Sequence, residues 1–523
     1  MNLQTEIPLK VWRDPPRLIR KIKDPKFLLL YTPQRHDLTY GTVKPEGSLG
    51  NLYLAAALRD NGFEVQILDC CVGNKNHTLD ESFNNHTKLP NGMVRVGLSA
   101  EAILKEIASY DVIGVSSIFT PQTYMVEETV RLISQAYPEK LIIMGGINAR
   151  TQMSRFFNAG AHVICISEAE GTIVEIGNVL RTGSRDFTGL AGVAFIHNGH
   201  IRINPQGLIE DNLDKLPIPA RDLLPLERFW EIARPHGGLV KPGDLDKPHL
   251  YVSAMTSRGC PYVCTFCHIS GEQKGSITGN IGKFRYQSEQ RVEREMAIIK
   301  DLGVEYIYFE DDSILAKKKR ALNIFRMIIK FGFRLGDVNG VNLSHLHKNE
   351  GGRIVVDDEM IETMAAAGFD RLSFPVESGS QRIIDKWVSG KISHETYDIS
   401  ALIRKANSLG ITVSSCYLIG YPDETYDEIA QTVITAKKHL DAGSAYVNLT
   451  MVTPFPGTSL YDYVIANDLL LPGIDIADLD WMRPSMKTLI DPFYLEFISR
   501  KAYEFINRPE RIGIVRSMAP GID

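Results

Sequence analysis

Long apolar runs are what this sequence most plainly lacks. No stretch reaches the ~18 consecutive apolar residues of a membrane-spanning helix. Residues 1–26, an arm in which Pro8, Pro15, Pro16 and Pro25 stand among charges, hold no apolar core of a signal peptide. The expected compartment is therefore the cytoplasm. Cysteine is scarce, seven in 523 residues, which excludes the disulfide frameworks of small secreted scaffolds. Blocks of lysine or arginine are missing as well, and a net charge of −5 argues against an extended nucleic-acid surface. The one glycine-rich stretch, 275–283, fails as a P-loop because Ile277 stands where glycine is required and Phe284 where serine or threonine is. No internal repeat or low-complexity segment is present. With 44% hydrophobic and 23% charged residues the composition is that of an ordinary soluble chain, and its length suits two to four domains.

The few cysteines are unevenly spread. Three fall in Arg258-Gly259-Cys260-Pro261-Tyr262-Val263-Cys264-Thr265-Phe266-Cys267-His268, a C-x3-C-x2-C run. Gly259 and Pro261 mark it as a loop, and the apolar residues 250–255 before it read as a buried strand. Three thiolates on one tight loop can grip three irons of a [4Fe–4S] cube and leave the fourth iron open. The competing arrangement is a zinc knuckle, which needs four closed ligands; His268 could supply one, but it adjoins Cys267 and no second pair lies nearby. The loop would sit just past a strand end, where parallel sheets and barrels carry their chemistry.

This loop resembles that of the radical S-adenosylmethionine (SAM) superfamily. The resemblance implies that the open iron binds the amino and carboxylate groups of SAM. An electron from the cluster then cleaves SAM to a 5′-deoxyadenosyl radical, the cofactor doing the hard chemistry and the protein positioning it.

Upstream, residues 27–182 alternate short apolar strands (27–31, 65–68, 112–116, 141–144, 163–166) with amphipathic helices. Five such units imply an α/β, doubly wound, flavodoxin-like parallel sheet that binds ligand beyond the carboxyl ends of its strands. Those ends carry Ser116, Ser117 and Phe119, then Gly145, Gly146 and Asn148, then Glu168 and Glu170. Small residues there either admit a large flat ligand or form tight strand-to-helix turns. The region is similar to the cobalamin-binding domain of class B radical SAM enzymes, as is the run Gly47-Ser48-Leu49-Gly50-Asn51-Leu52. That resemblance implies cobalamin contacts at Ser48, Leu49 and the strand-end residues just named. The D-x-H-x-x-G motif of many cobalamin proteins does not occur; His36 or Arg35, in Arg35-His36-Asp37-Leu38, is the candidate for the lower face of cobalt.

Residues 183–249, with Leu216-Pro217-Ile218-Pro219-Ala220 and Lys241-Pro242-Gly243, read as a linker. Residues 250–458 hold six strand-and-helix units, too few for a closed eight-stranded barrel and suited to a partial (β/α)6 barrel. Glu310-Asp311-Asp312 ends the second strand. Asp311 and Asp312 could accept hydrogen bonds from the SAM amino group, or carboxylates there could cap a helix. By the resemblance, Glu377 and Ser378 meet the methionine or ribose portion of SAM, and Phe266, Ile419, Gly420 and Pro454 lie about the adenine. Residues 459–523 form a helical extension whose Trp481, Met482, Tyr494, Phe497, Tyr503 and Phe505 are expected to pack as core.

The resemblance spans about 27–458 and implies a cobalamin-dependent radical SAM methyltransferase, moving a methyl group from SAM by way of methylcobalamin to an unactivated carbon. A small natural-product-type substrate and an external flavodoxin- or ferredoxin-like reductant are expected. The runs 35–38 and 114–119 are similar to the phosphonate C-methylase of the fosfomycin pathway. Three alternatives use the same residues differently: cyclisation or rearrangement without methyl transfer, methylthiotransfer, and a cobalamin sensor. The sensor leaves the cysteine loop idle, and methylthiotransfer needs a second cluster, for which adjacent Cys70 and Cys71 with Cys165 are poorly placed.

Overall fold

The computed structural model describes residues 7–8, 22–36, 43–45, 48–90, 92–207, 209–233, 249–273 and 275–506. Asp37, Leu38, Gly47 and residues 241–243, named above, lie outside them. The described residues divide into two compact units, the first reaching to Ile232 and taking in those of 272–281, the second comprising those of 233–271 and 282–506.

The first unit is built on an eight-stranded sheet of β1 (Ile7–Pro8), β2 (Phe27–Tyr31), β3 (Val65–Asp69), β4 (Val112–Ser116), β5 (Leu141–Gly145), β6 (Val163–Cys165), β7 (Val193–His197) and β8 (His200–Ile203). Its order is β1-β8-β7-β6-β5-β4-β2-β3. The central strands are apolar at nearly every position and buried on both faces, as parallel strands covered by helices must be. β3, β2, β4, β5 and β6 run parallel. The chain reverses its direction of travel across the sheet between β2 and β4, which opens a crevice at the carboxyl ends there. Register aligns those ends: Asp69 and Ser116 both pair with Tyr31, and Gly145 pairs with Ser116. Part of the stretch read as linker, 193–203, is an antiparallel hairpin that extends this sheet beside β6. Its Asn198-Gly199 turn has both residues at positive φ, 51° and 77°, the pairing that matches the twist of a two-residue hairpin.

Among the described residues the parallel strands of the second unit are β9 (Tyr251–Ala254), β10 (Tyr306–Phe309), β11 (Arg334–Asp337), β12 (Arg371–Glu377), β13 (Thr412–Ile419) and β14 (Tyr446–Met451), beside two short antiparallel pairs. They form two parallel three-stranded sheets, joined by a parallel bridge between Leu335 and Phe369. Alternation sorts their faces. Val252, Ile307, Phe309, Leu335, Leu372, Phe374, Val413 and Val447 make a buried apolar face, while Ser253, Arg371, Ser373, Cys416 and Thr450 on the other side stay half-buried. Side chains of β10, β11 and β12 converge on that second side: Arg371 lies over the Tyr306 ring, and a Cβ on Gly336 would stand 3.3 Å from Arg371 Cγ. At the amino ends of β9 and β10 that second side is filled by aromatic packing. Tyr306 stacks on Tyr308 with centroids 4.4 Å apart, Tyr251 meets Tyr308 edge-on, and His249 shares a 2.9 Å hydrogen bond with the Tyr308 hydroxyl.

The aromatic tail corrects an expectation. In the helix Pro492–Ile506 the buried residues are Leu495, Ala502 and Ile506, one stripe at helical spacing. Tyr494, Phe497 and Phe505 fall off that stripe and are exposed, as are Trp481 and Met482. Among the described residues no helix is long and apolar enough to cross a membrane.

Candidate functional site

The cysteine loop leaves the end of β9 and is fastened on all sides. Asp311, just past β10, accepts from Thr256 N at 3.0 Å, Thr256 Oγ1 at 2.8 Å and Ser257 Oγ at 2.5 Å. Asp312 accepts from Gly259 N at 2.8 Å. The two carboxylates expected to meet SAM thus hold the run-up to the loop. Burial raises both, Asp312 to about 6. Arg320, itself buried, donates to Thr256 O and Gln287 O. Gly259 has φ +81°, and a Cβ there would lie 2.3 Å from Lys283 O, so only glycine fits. Farther along, Thr265 N and Oγ1 both donate to Trp387 O, and Cys264 Sγ lies 3.5 Å from Val388 O.

Opposite the thiols stands a residue that the sequence reading missed. Lys391 Nζ donates to Glu377 Oε1 at 2.8 Å, both side chains being 9% exposed. Burial alone would push this ammonium toward neutrality, but Glu377 and Cys264 more than reverse it and hold it above its usual range. Glu377 ends β12 at a register shift with φ +70°, a conformation that a side chain other than glycine rarely takes. Ser389 and Gly390, both at φ 60°, turn the chain just before Lys391. The sequence signal was slight: one lysine after a Ser-Gly turn.

The donor set suits a cluster better than zinc. Among the described residues no three His, Cys, Asp or Glu side chains could hold one metal ion, whereas the thiols of a cubane each serve a separate iron. His268, the spare zinc ligand, has its Nε2 3.2 Å from Pro456 O. Burial pushes the Cys267 thiol up to about 12, with Cys264 and Asp312 adding to it. Lys391 opposes this for Cys260 and Cys264, so a cation waits where thiolates would need one.

Aromatic rings flank the loop. Phe266 meets Tyr421 edge-on at 6.3 Å and Trp387 stacks on Tyr421 at 6.2 Å. The Tyr421 hydroxyl is buried without a hydrogen-bond partner. Gly420 and Tyr421 donate their N–H groups to Glu424, whose other oxygen is unpartnered and whose carboxyl burial raises to about 8. Ser378 is tied to Thr432 Oγ1 at 3.2 Å; Ile419 and Pro454 are buried. The structure therefore gathers Phe266 and Glu377 with the cysteines and sets Ser378, Ile419 and Pro454 in the packing.

In the first unit, Ser116 and Gly145 end adjacent strands at the crevice. A Cβ on Gly145 would meet nothing within 4 Å, leaving a space at the strand end that a flat ligand can enter. Gly146 has φ +99°, and a Cβ there would strike Ser117 O at 2.2 Å. Ser117 and Asn148 are turned on each other: Asn148 Nδ2 donates to Ser117 Oγ at 2.8 Å, and Thr123 and Gln152 complete a buried network. Ser48 caps the helix Leu49–Asp60 by accepting from Asn51 N at 3.4 Å, with Leu49 buried behind it. Phe119 N donates to Gln122 Oε1, and Glu170 opens the helix Glu170–Arg181 shortly after Glu168. His36, on the short strand Gln34–His36, meets His86 edge-on at 6.3 Å. Cys70, Cys71 and Cys165 are buried in the core, with no third ligand group converging on them among the described residues.

Comparison with known proteins places this geometry. Residues 44–177 match the B12 binding domain model, and residues 255–436 match that of the radical SAM superfamily. An uncharacterized methyltransferase of Pyrococcus horikoshii is 28% identical over 500 residues, 93% of each chain. The cytidylyl-2-hydroxyethylphosphonate methyltransferase of Streptomyces wedmorensis is 26% identical over 494 residues, 86% of this chain and 84% of its own. Among solved structures, the radical SAM methyltransferase TsrM of Kitasatospora setae, with cobalamin and a [4Fe–4S] cluster bound, gives a TM-score of 0.60 at 18% identity, covering 86% of this chain and 76% of that one. The cobalamin-dependent SAM radical enzyme OxsB gives 0.66 at 16%, covering 92% and 66%. At those identities the likeness is one of fold. A radical SAM domain implies a [4Fe–4S] cluster and SAM, and a B12 binding domain implies cobalamin.

Proposed function

From the match of residues 255–436 to the radical SAM superfamily model, behind a match of 44–177 to the B12 binding domain model, we propose that this chain is a radical SAM enzyme that transfers a methyl group from SAM, by way of cobalamin, to an unactivated carbon of a small molecule. When bound, the cluster supplies the electron that cleaves SAM and cobalamin carries the methyl group. Cys260, Cys264 and Cys267 would hold the cluster. Glu377 and Lys391, opposite charges 2.8 Å apart, match the ammonium and carboxylate of the SAM methionine portion, and the half-buried Phe266 ring offers a face to the adenine. The 2-1-3-4-5 order of the five parallel strands is the flavodoxin-like arrangement. Its crevice supports placing cobalamin over Ser116 and Gly145, with Ser117, Gly146 and Asn148 shaping the floor and Ser48, Leu49, Phe119, Glu168, Glu170 and His36 around it. The six parallel strands of the second unit support a partial (β/α)6 barrel whose lumen takes the substrate. A flavodoxin- or ferredoxin-like reductant in the cytoplasm would deliver the electron.

The observation that carries this reading is the open space at Gly145 on the crevice of a B12 binding domain, in a chain that also holds a cation-backed cysteine loop. Anaerobic reconstitution with iron, sulfide and hydroxocobalamin, followed by reductant and SAM bearing a deuterated methyl group, tests it by mass spectrometry. Formation of 5′-deoxyadenosine together with label on cobalamin is expected. Deoxyadenosine without labelled cobalamin would instead favour cyclisation or rearrangement.

A further inference from the structure

We propose that Arg371 is the anion anchor of the substrate, so that the molecule acted on carries a carboxylate, phosphate or phosphonate group. The proposal rests on the reading that the barrel lumen receives the substrate. Residues paired across parallel strands share a face: Ser373 with Ser414 and Tyr446, Cys416 with Asn448, and Leu418 with Thr450. This face is polar, and Asn448 on it is exposed. Arg371 projects into the same space because Gly336 has no side chain to block its stem, and its guanidinium carbon lies 5.9 Å from the Tyr306 ring centroid.

Its charge is under-used. Nε and one terminal nitrogen are buried and have no hydrogen-bond acceptor. The nearest carboxylate oxygen, on Asp370, is 3.8 Å from Nε, and Asp370 is already taken by Arg334 Nε at 2.9 Å, Arg334 NH2 at 2.7 Å and the Tyr306 hydroxyl. Asp337, the other carboxyl acting on Arg371, accepts from Ser373 N at 3.1 Å and is raised by burial to about 7. Donors left unpaired in a buried guanidinium cost desolvation energy, and a planar or tetrahedral oxyanion meets such a fork with two parallel hydrogen bonds. β12 separates Arg371 from Glu377 by six residues, on the order of 20 Å of strand. The anion therefore lies at the end of the substrate remote from the reacting carbon.

The test is calorimetric titration of anaerobic holoenzyme, loaded with cluster and cobalamin and kept free of SAM, with ethylphosphonate, propanoate and neutral propanamide. Saturable binding of an anion but not the amide is expected, weakened roughly 10- to 100-fold in Arg371→Gln and less in Arg371→Lys. Iron and cobalamin contents matching wild type establish that the variants fold; if Arg371→Gln fails there, Arg371→Lys decides by its own weaker binding. Equal anion affinity in a folded variant, or no anion binding by loaded wild type, overturns the anchor. The labelling of cobalamin by wild type is measured in parallel. Label without anion binding overturns the anchor alone, and Arg371-dependent binding without label supports it while overturning methyl transfer.

Discussion

Replacing Lys391 by methionine isolates the electrostatics of the cysteine site. The pair with Glu377 is 2.8 Å long and both side chains are 9% exposed, so solvent screens it little. Removing one member of a buried pair leaves the other desolvated and uncompensated, a loss of about 3–5 kcal/mol. Lys391→Met keeps the aliphatic stem, so the loss is one of charge. The expected outcome is a urea midpoint lowered to match, read through the fluorescence of buried Trp387, which packs close by at the end of the helix Gln381–Trp387. Adding Glu377→Gln to Lys391→Met removes the stranded carboxylate, and the double variant is expected to recover most of the stability. A single variant as stable as wild type, or a double variant no better than the single, would refute the reasoning.

Four further outcomes follow from the packing and burial of single residues. Gly259→Ala puts a Cβ against Lys283 O in a left-handed conformation, so the protein is expected to reconstitute with markedly less iron, measured by iron and sulfide assay, while cobalamin content is retained. Gly145→Phe fills the open space at the β5 end; it should lower cobalamin retention after gel filtration, whereas Gly145→Ala should leave thermal stability unchanged. Gly177→Ala drives a Cβ into the Phe63 ring, 2.5 Å away, and is expected to cost about 1–3 kcal/mol in denaturant unfolding. The Glu424 carboxyl, raised by burial from 4.5 to about 8, binds its proton more tightly folded than unfolded, so its contribution is full below pH 4.5 and is lost as pH rises toward 8. Glu424→Gln should flatten the stability profile across that window; an unchanged slope would show that Glu424 is not its source.

What could be read from the chain was what is local. The C-x3-C-x2-C spacing is a property of eight consecutive residues, and the buried parallel strands announce themselves as short apolar runs. Asp311 and Asp312 were identifiable as strand-end carboxylates, but their targets, Thr256, Ser257 and Gly259, lie over fifty residues away and depend on β9 pairing with β10. Lys391 escaped notice because its meeting with Glu377 requires a register shift and two successive positive-φ residues that no periodicity encodes. The tail was misjudged for a different reason: its aromatics were counted without helix phase, and the 495, 502, 506 stripe leaves most of them outside. The hairpin at 193–203 carried its signal, Asn198-Gly199, inside a segment read as linker from the prolines farther along it.

The packing of His249, Tyr251, Tyr306 and Tyr308 at the amino ends of β9 and β10 bears on the order of events in turnover. On the proposed reading of that space as the substrate site, with those amino ends packed shut, entry is from the carboxyl ends of the strands, past the cysteine loop. Whatever is held at the depth of Arg371 then loads before a ligand settles over Glu377 and waits for that ligand to leave. Steady-state kinetics should then show an obligatory sequence, with the substrate first on and last off.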